Sequence, residues 1–159
     1  LTSLRQTPNA RRWTLPKFFI NQGQQFTNVC SIFLENPMVE KVIATDAALE
    51  LVAFLKTKHG PDLMFHQSGG CCDNSAANCY LPGEITMGAG DVYLGDIGGC
   101  PFYIGKAQYG YWKHTQLIID VIDGHGGTFS LEGPEGKAFH TRSRVFNAAE
   151  LAELDAQGD

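Results

Sequence analysis

At 159 residues, with 43% hydrophobic and 18% charged side chains, the chain has the balance of one globular domain, which excludes a disordered polymer and two full-sized domains. Its 18 glycines favour tight turns and β structure over a helical bundle. The net charge of −5 hides a basic start, since residues 1–37 carry four basic side chains against one acidic while the remaining 122 carry eight against sixteen; such an acidic body repels phosphate backbones and argues against nucleic acid as a partner.

Residues 1–37 mix Arg5, Arg11, Arg12 and Lys17 with scattered aromatics and show no clean periodicity. Met38 is the first methionine and lies where regular patterning begins, so three readings stand for the segment. It is an upstream stretch outside the native protein, an Arg-rich presequence, or an N-terminal arm. The expected organisation is an arm over 1–37, one globular domain over 38–146 and an acidic tail over 147–159.

Val39 to Ala44 reads as a short strand. Thr45 then suits a helix N-cap, with Asp46 favourable in the first turn. Ala47, Ala48, Leu51, Val52 and Leu55 recur at helical spacing, and Gly60-Pro61 stops the helix. Beyond Pro61 the pattern is strands and turns: Leu63 to His66, Asp91 to Ile97, Pro101 to Ile104 and Gln116 to Ile122. The last is rich in β-branched residues and predicts a central strand covered on both faces around Ile118. Gln108 to Trp112 predicts a helical turn or a loop. Thr128 to Glu132 alternates apolar and polar and predicts the hairpin partner of 116–122. Residues 147–159 predict a short helix or a frayed tail.

The five cysteines are Cys30, Cys71, Cys72, Cys79 and Cys100. No secretory signal and no apolar run of roughly 20 residues is visible, so a reduced, cytoplasmic set is expected, with no membrane association. Adjacent cysteines bridge each other only with strain. The pattern His66-x4-Cys71-Cys72-x6-Cys79, with Gly69-Gly70 before the first thiol, therefore points to metal or thiol chemistry. Thiolates suit zinc, copper(I) or iron–sulfur clusters, and the paired glycines let a loop fold over an ion. The candidate metal ligands are Cys71, Cys72, Cys79 and His66. Cys100, beside Pro101, reads as a small buried hydrophobe. His114, His125 and His140 read as surface or turn residues, and Tyr109, Tyr111 and Trp112 as an aromatic core cluster or a cover over the loop. No dinucleotide fingerprint or nucleophile elbow is present.

Several strings carry a resemblance: Phe65-His66-Gln67-Ser68-Gly69-Gly70-Cys71-Cys72-Asp73, then Cys79-Tyr80, Tyr111 to Val121, Phe129 to Glu132 and Thr141 to Phe146. Over residues 39–146 they resemble the bacterial domain-of-unknown-function family 779, whose members are often encoded beside aldehyde or alcohol dehydrogenases. More loosely, the order of elements and the Gly-Gly-Cys loop resemble the A-type iron–sulfur carriers of the HesB/IscA-like fold. There the cysteine after the paired glycines is a cluster ligand, a role that maps onto Cys71. Their C-terminal Cys-Gly-Cys has no counterpart, because residues 133–159 contain no cysteine; Cys72 and Cys79 would have to replace it.

The resulting expectation is an α+β fold, a single mixed, mainly antiparallel β domain with one packed helix, HesB/IscA-like. The function expected is that of a small metal-binding accessory or carrier protein, holding zinc, iron or an iron–sulfur unit and serving a dehydrogenase or other metalloenzyme. A homo-oligomer is compatible with this, and catalysis of its own is not required. Two alternatives remain open: an enzyme or redox protein using Cys71 or Cys72 with His66 or His114 as base, and a non-catalytic binding subunit with structural cysteines.

Overall fold

A computed structural model describes residues 38–67, 69 and 76–158. The arm expected over 1–37 lies outside them, as do Cys30, Cys71 and Cys72. Seven strands and three α-helices are found among the described residues, so the fold is α+β. The three-stranded sheet has the order β1 (Val42–Ala44), β6 (Thr115–Asp123), β7 (Lys137–Val145). The four-stranded sheet has the order β3 (Ala77–Tyr80), β2 (Met64–Gln67), β5 (Cys100–Gly105), β4 (Asp91–Ile97). The pairs β1/β6 and β2/β5 are parallel, and β6/β7, β2/β3 and β4/β5 are antiparallel, which makes the mixture mainly antiparallel.

Helix α1 (Asp46–His59) forms where its end signals predict. The Thr45 hydroxyl accepts the Ala48 amide at 3.3 Å and donates to Asp120 at 2.9 Å, so the cap also fixes the helix to β6. Gly60, at φ 106°, ends it by donating to the Lys56 carbonyl at 3.0 Å. Ala48, Val52 and Leu55 form the buried stripe, Leu51 is half-buried, and Ala47 is exposed, one position outside the stripe expected.

Both sheets and α1 contribute to one core, in which Phe65 stacks on Phe102 and meets Phe139 edge-on. In β4 a bulge between Tyr93 and Gly95 shifts the alternation. Leu94 and Ile97 therefore both reach the core, while Tyr93 pairs with Tyr103 and Asp96 with Pro101 on the outward side. Gly95 takes the φ of 144° that this needs.

Four expectations are corrected. The set of expected strands lacks residues 77–80, which form one because they pair with the whole of β2. The hairpin partner of β6 is β7, not 128–132, which forms a turn leading to a 3-10 helix over Gly133–Glu135. One packed helix becomes three. Gln108 to Trp112 belongs to α2 (Lys106–Trp112), whose Tyr109 and Trp112 pack on the core while Tyr111 is exposed. The tail forms α3 (Ala148–Gln157), begun by a capping box of Asn147 and Glu150 and burying Leu154. Strand β6 is central in its sheet, yet only Leu117 and Ile119 are fully buried. Ile118, on the other face, is half-buried opposite Arg142, so the two faces are not equally covered.

Candidate functional site

The hairpin β2–β3 carries the sequence-predicted ligands, and its alternation separates them. Phe65 pairs with Cys79, His66 with Asn78 and Gln67 with Ala77. Phe65, Gln67, Ala77 and Cys79 turn inward and are buried, so His66 and Asn78 occupy the outward face. Cys79 and His66 thus point to opposite sides of the sheet and do not converge on one ion. Cys71 and Cys72, in the connecting segment, lie outside the described residues. Among the described residues no three His, Cys, Asp or Glu side chains form a group that could hold a metal.

Cys79 is fully buried beside a polar cluster. Its amide donates to the Ser130 hydroxyl at 2.8 Å, its carbonyl accepts the Leu131 amide at 3.1 Å, and Ser130 donates to Glu132 at 2.5 Å. Segment 130–131 therefore covers the outer edge of β3. Burial pushes the Cys79 thiol far above its ordinary value, with the Glu132 carboxylate adding to the effect. On the core face the thiol serves as a packing group. Cys100 is also fully buried and its thiol raised by burial.

His66 differs. Its Nε2 lies 3.1 Å from Asp91 Oδ1, each side chain about one-fifth exposed. The other Asp91 oxygen accepts the Gly88 amide at 2.9 Å, which fixes the carboxylate at the start of β4. That amide is the main reason the Asp91 carboxyl lies below its ordinary value, and the bond from His66 adds to it. On the other side of His66, Asn78 keeps its Oδ1 buried without a hydrogen-bond partner, against Gly127, where a Cβ would come within 2.4 Å. The arrangement offers an imidazole oriented by a carboxylate, on the strand that precedes Cys71-Cys72 in sequence.

Sequence reasoning missed Asp91, Asn78, Ser130 and Glu132. Asp91 carried one signal, the Gly88-x-x-Asp91 spacing of a side-chain-capped turn. Glu132 carried none, since Ser130-Leu131-Glu132 reads as an ordinary exposed alternation. His114 is exposed in the turn just before β6, a strand of the other sheet from that of His66.

No helix among the described residues is long and apolar enough to cross a membrane. No curated protein matches the chain. Among solved structures, the crystal structure of IscA with its 2Fe–2S cluster is 18% identical, covers 68% of this chain and 87% of that chain, and superposes with a TM-score of 0.35. A family model described as "Domain of unknown function (DUF779)" matches residues 51–145, more than half of the sequence. The chain belongs to that family.

Proposed function

We propose that this protein is a small metal-binding accessory protein, with Cys71, Cys72 and His66 as its ligands. The observation that supports this reading is the His66–Asp91 pair at 3.1 Å, a few residues before two adjacent cysteines in the sequence. With Nε2 donating to the carboxylate, Nδ1 presents its lone pair, the tautomer control that metal-bound histidines receive from a carboxylate. Two thiolates and an imidazole suit zinc, copper(I) or an iron centre, and three protein ligands leave a position for a ligand from a partner. A dehydrogenase or other metalloenzyme is the partner this reading favours. Cys79 is left out of the ligand set because its thiol belongs to the core face.

The test is metal content and the absorption spectrum of protein purified without oxygen, for the wild type and for single variants. Metal per chain is expected to fall sharply in Cys71→Ser, Cys72→Ser and His66→Ala. In Cys79→Ser and Cys100→Ser it is expected to persist while the melting temperature drops. Wild-type protein that carries no metal, and binds none of zinc, iron or copper(I), defeats the reading. The same His66–Asp91 pair supports a second one, in which His66 acts as base toward a nucleophilic Cys71 or Cys72. Stoichiometric alkylation of metal-free protein at neutral pH, slowed by Asp91→Asn, would favour it.

A further inference from the structure

The outward face of the four-stranded sheet has a chemistry of its own. Strand register sets Asn78, His66, Tyr103 and Tyr93 in one row across β3, β2, β5 and β4. The Tyr93 and Tyr103 rings have centroids 5.7 Å apart and are tilted by 58°, so together they form a shallow wedge and not a closed stack. Tyr93 is about half exposed. Two carboxylates flank the wedge: Asp91, which pairs with His66, and Asp96, which the β4 bulge turns outward beside Tyr93. None of the other outward positions of these strands (64, 80, 101 and 105) is Lys or Arg. The outward strand positions are therefore aromatic and anionic, with Lys41 lining the cavity that Tyr93 and Asp96 share, on a body in which acidic residues outnumber basic ones two to one after residue 37.

Aromatic faces attract cations through the ring quadrupole, and a guanidinium adds planar stacking and a two-pronged fit to a carboxylate. We propose that this face docks an arginine-bearing segment of a partner protein, the guanidinium lying in the Tyr93–Tyr103 wedge and pairing with Asp96. The inference stands on the tyrosines and carboxylates and requires no metal at the hairpin loop. The acidic body attracts the same segment at longer range, so encounter is faster at low salt.

The full chain is titrated by calorimetry with tetra-arginine, tetra-lysine and tetra-glutamate peptides at low and high salt. Tetra-arginine is expected to bind more tightly than tetra-lysine and tetra-glutamate not at all. Tyr93→Leu and Asp96→Asn should each weaken arginine binding by roughly two- to fivefold, the size of an exposed cation–π or ion-pair contact. Asp155→Asn, on α3, should leave it unchanged. Asp96→Asn removes only a charge at an exposed position, so it reads the face even if Tyr93→Leu perturbs folding. The proposal is overturned if tetra-arginine binds no better than tetra-lysine or tetra-glutamate, or if Asp96→Asn and Asp155→Asn behave alike. It is also overturned if sedimentation shows a dimer that Asp96→Asn dissociates, since the occupant would then be a second copy.

Discussion

Thr141 donates its hydroxyl hydrogen to the side-chain oxygen of Gln67 at 2.7 Å, a buried hydrogen bond that ties β7 in one sheet to β2 in the other. Gln67 is the last residue of β2, so the base of the thiol loop is anchored to both sheets. Thr141→Val keeps the volume and removes the donor. It should lower unfolding stability by about 1–2 kcal/mol, the cost of breaking one buried hydrogen bond, while Thr141→Ser retains the donor and most of that contribution. Urea unfolding of the three proteins checks this.

Glu132 makes stability depend on pH. Burial holds its carboxyl above the ordinary range, with the bonds from Ser130 and Phe139 working in the other direction. The folded protein therefore keeps a proton that the unfolded chain releases near pH 4–5. The contribution is complete below that point and is lost as pH rises through the folded-state value. Asp91, Asp120, Asp123 and Glu150 are shifted down, so their contributions are lost at lower pH, outside this window. Unfolding free energy should decline as pH rises from about 4.5 toward neutrality, and Glu132→Gln should flatten that decline.

Gly126 and Gly127 are required by what lies against them. A Cβ on Gly126 would come within 2.3 Å of Glu132 Oε1, and one on Gly127 within 2.4 Å of Asn78 Oδ1. Glu132 is fully buried and held by Ser130, whereas Asn78 is half-buried and its Oδ1 has no hydrogen bond to lose. Gly126→Ala should therefore destabilise by about 1–3 kcal/mol, as overpacking does, and Gly127→Ala by less. Thermal unfolding ranks the two.

The two faces of β6 can be told apart in the same way. Ile119→Asp places a charge in the core and should abolish folding. Ile118→Asp, half-buried and opposite Arg142, should stay folded with a lowered melting temperature. Circular dichroism and melting curves decide it, and equal losses would mean that the outward face of β6 is covered as well.

What could be read in advance follows from where each element's stability originates. Helix α1 was legible because its cap, its apolar stripe and its Gly60 stop are all local. Strand β6 was legible from its run of β-branched residues. Strand β3 was not: Ala77-Asn78-Cys79-Tyr80 has weak β propensity, and is extended because β2 pairs with one edge and residues 130–131 cover the other. The alternation at 128–132 misled for a related reason. Phe129 is 81% exposed while Ser130 and Glu132 are buried, since those polar groups supply partners for the Cys79 and Phe139 amides. At the candidate site, His66 drew attention only through its neighbouring cysteines. The carboxylate that orients it comes from a strand 25 residues away and needed the fold to find it.

The cover over Cys79 also governs how two copies of this protein can meet. A bare edge strand invites another chain to extend the sheet, but the outward amide and carbonyl of Cys79 are already engaged by Ser130 and Leu131. A donated strand would first have to pry residues 130–131 away and leave Glu132 without its hydroxyl partner. At Cys79 that edge is closed to strand exchange, and a second copy meeting it there would find side chains and no free backbone ladder.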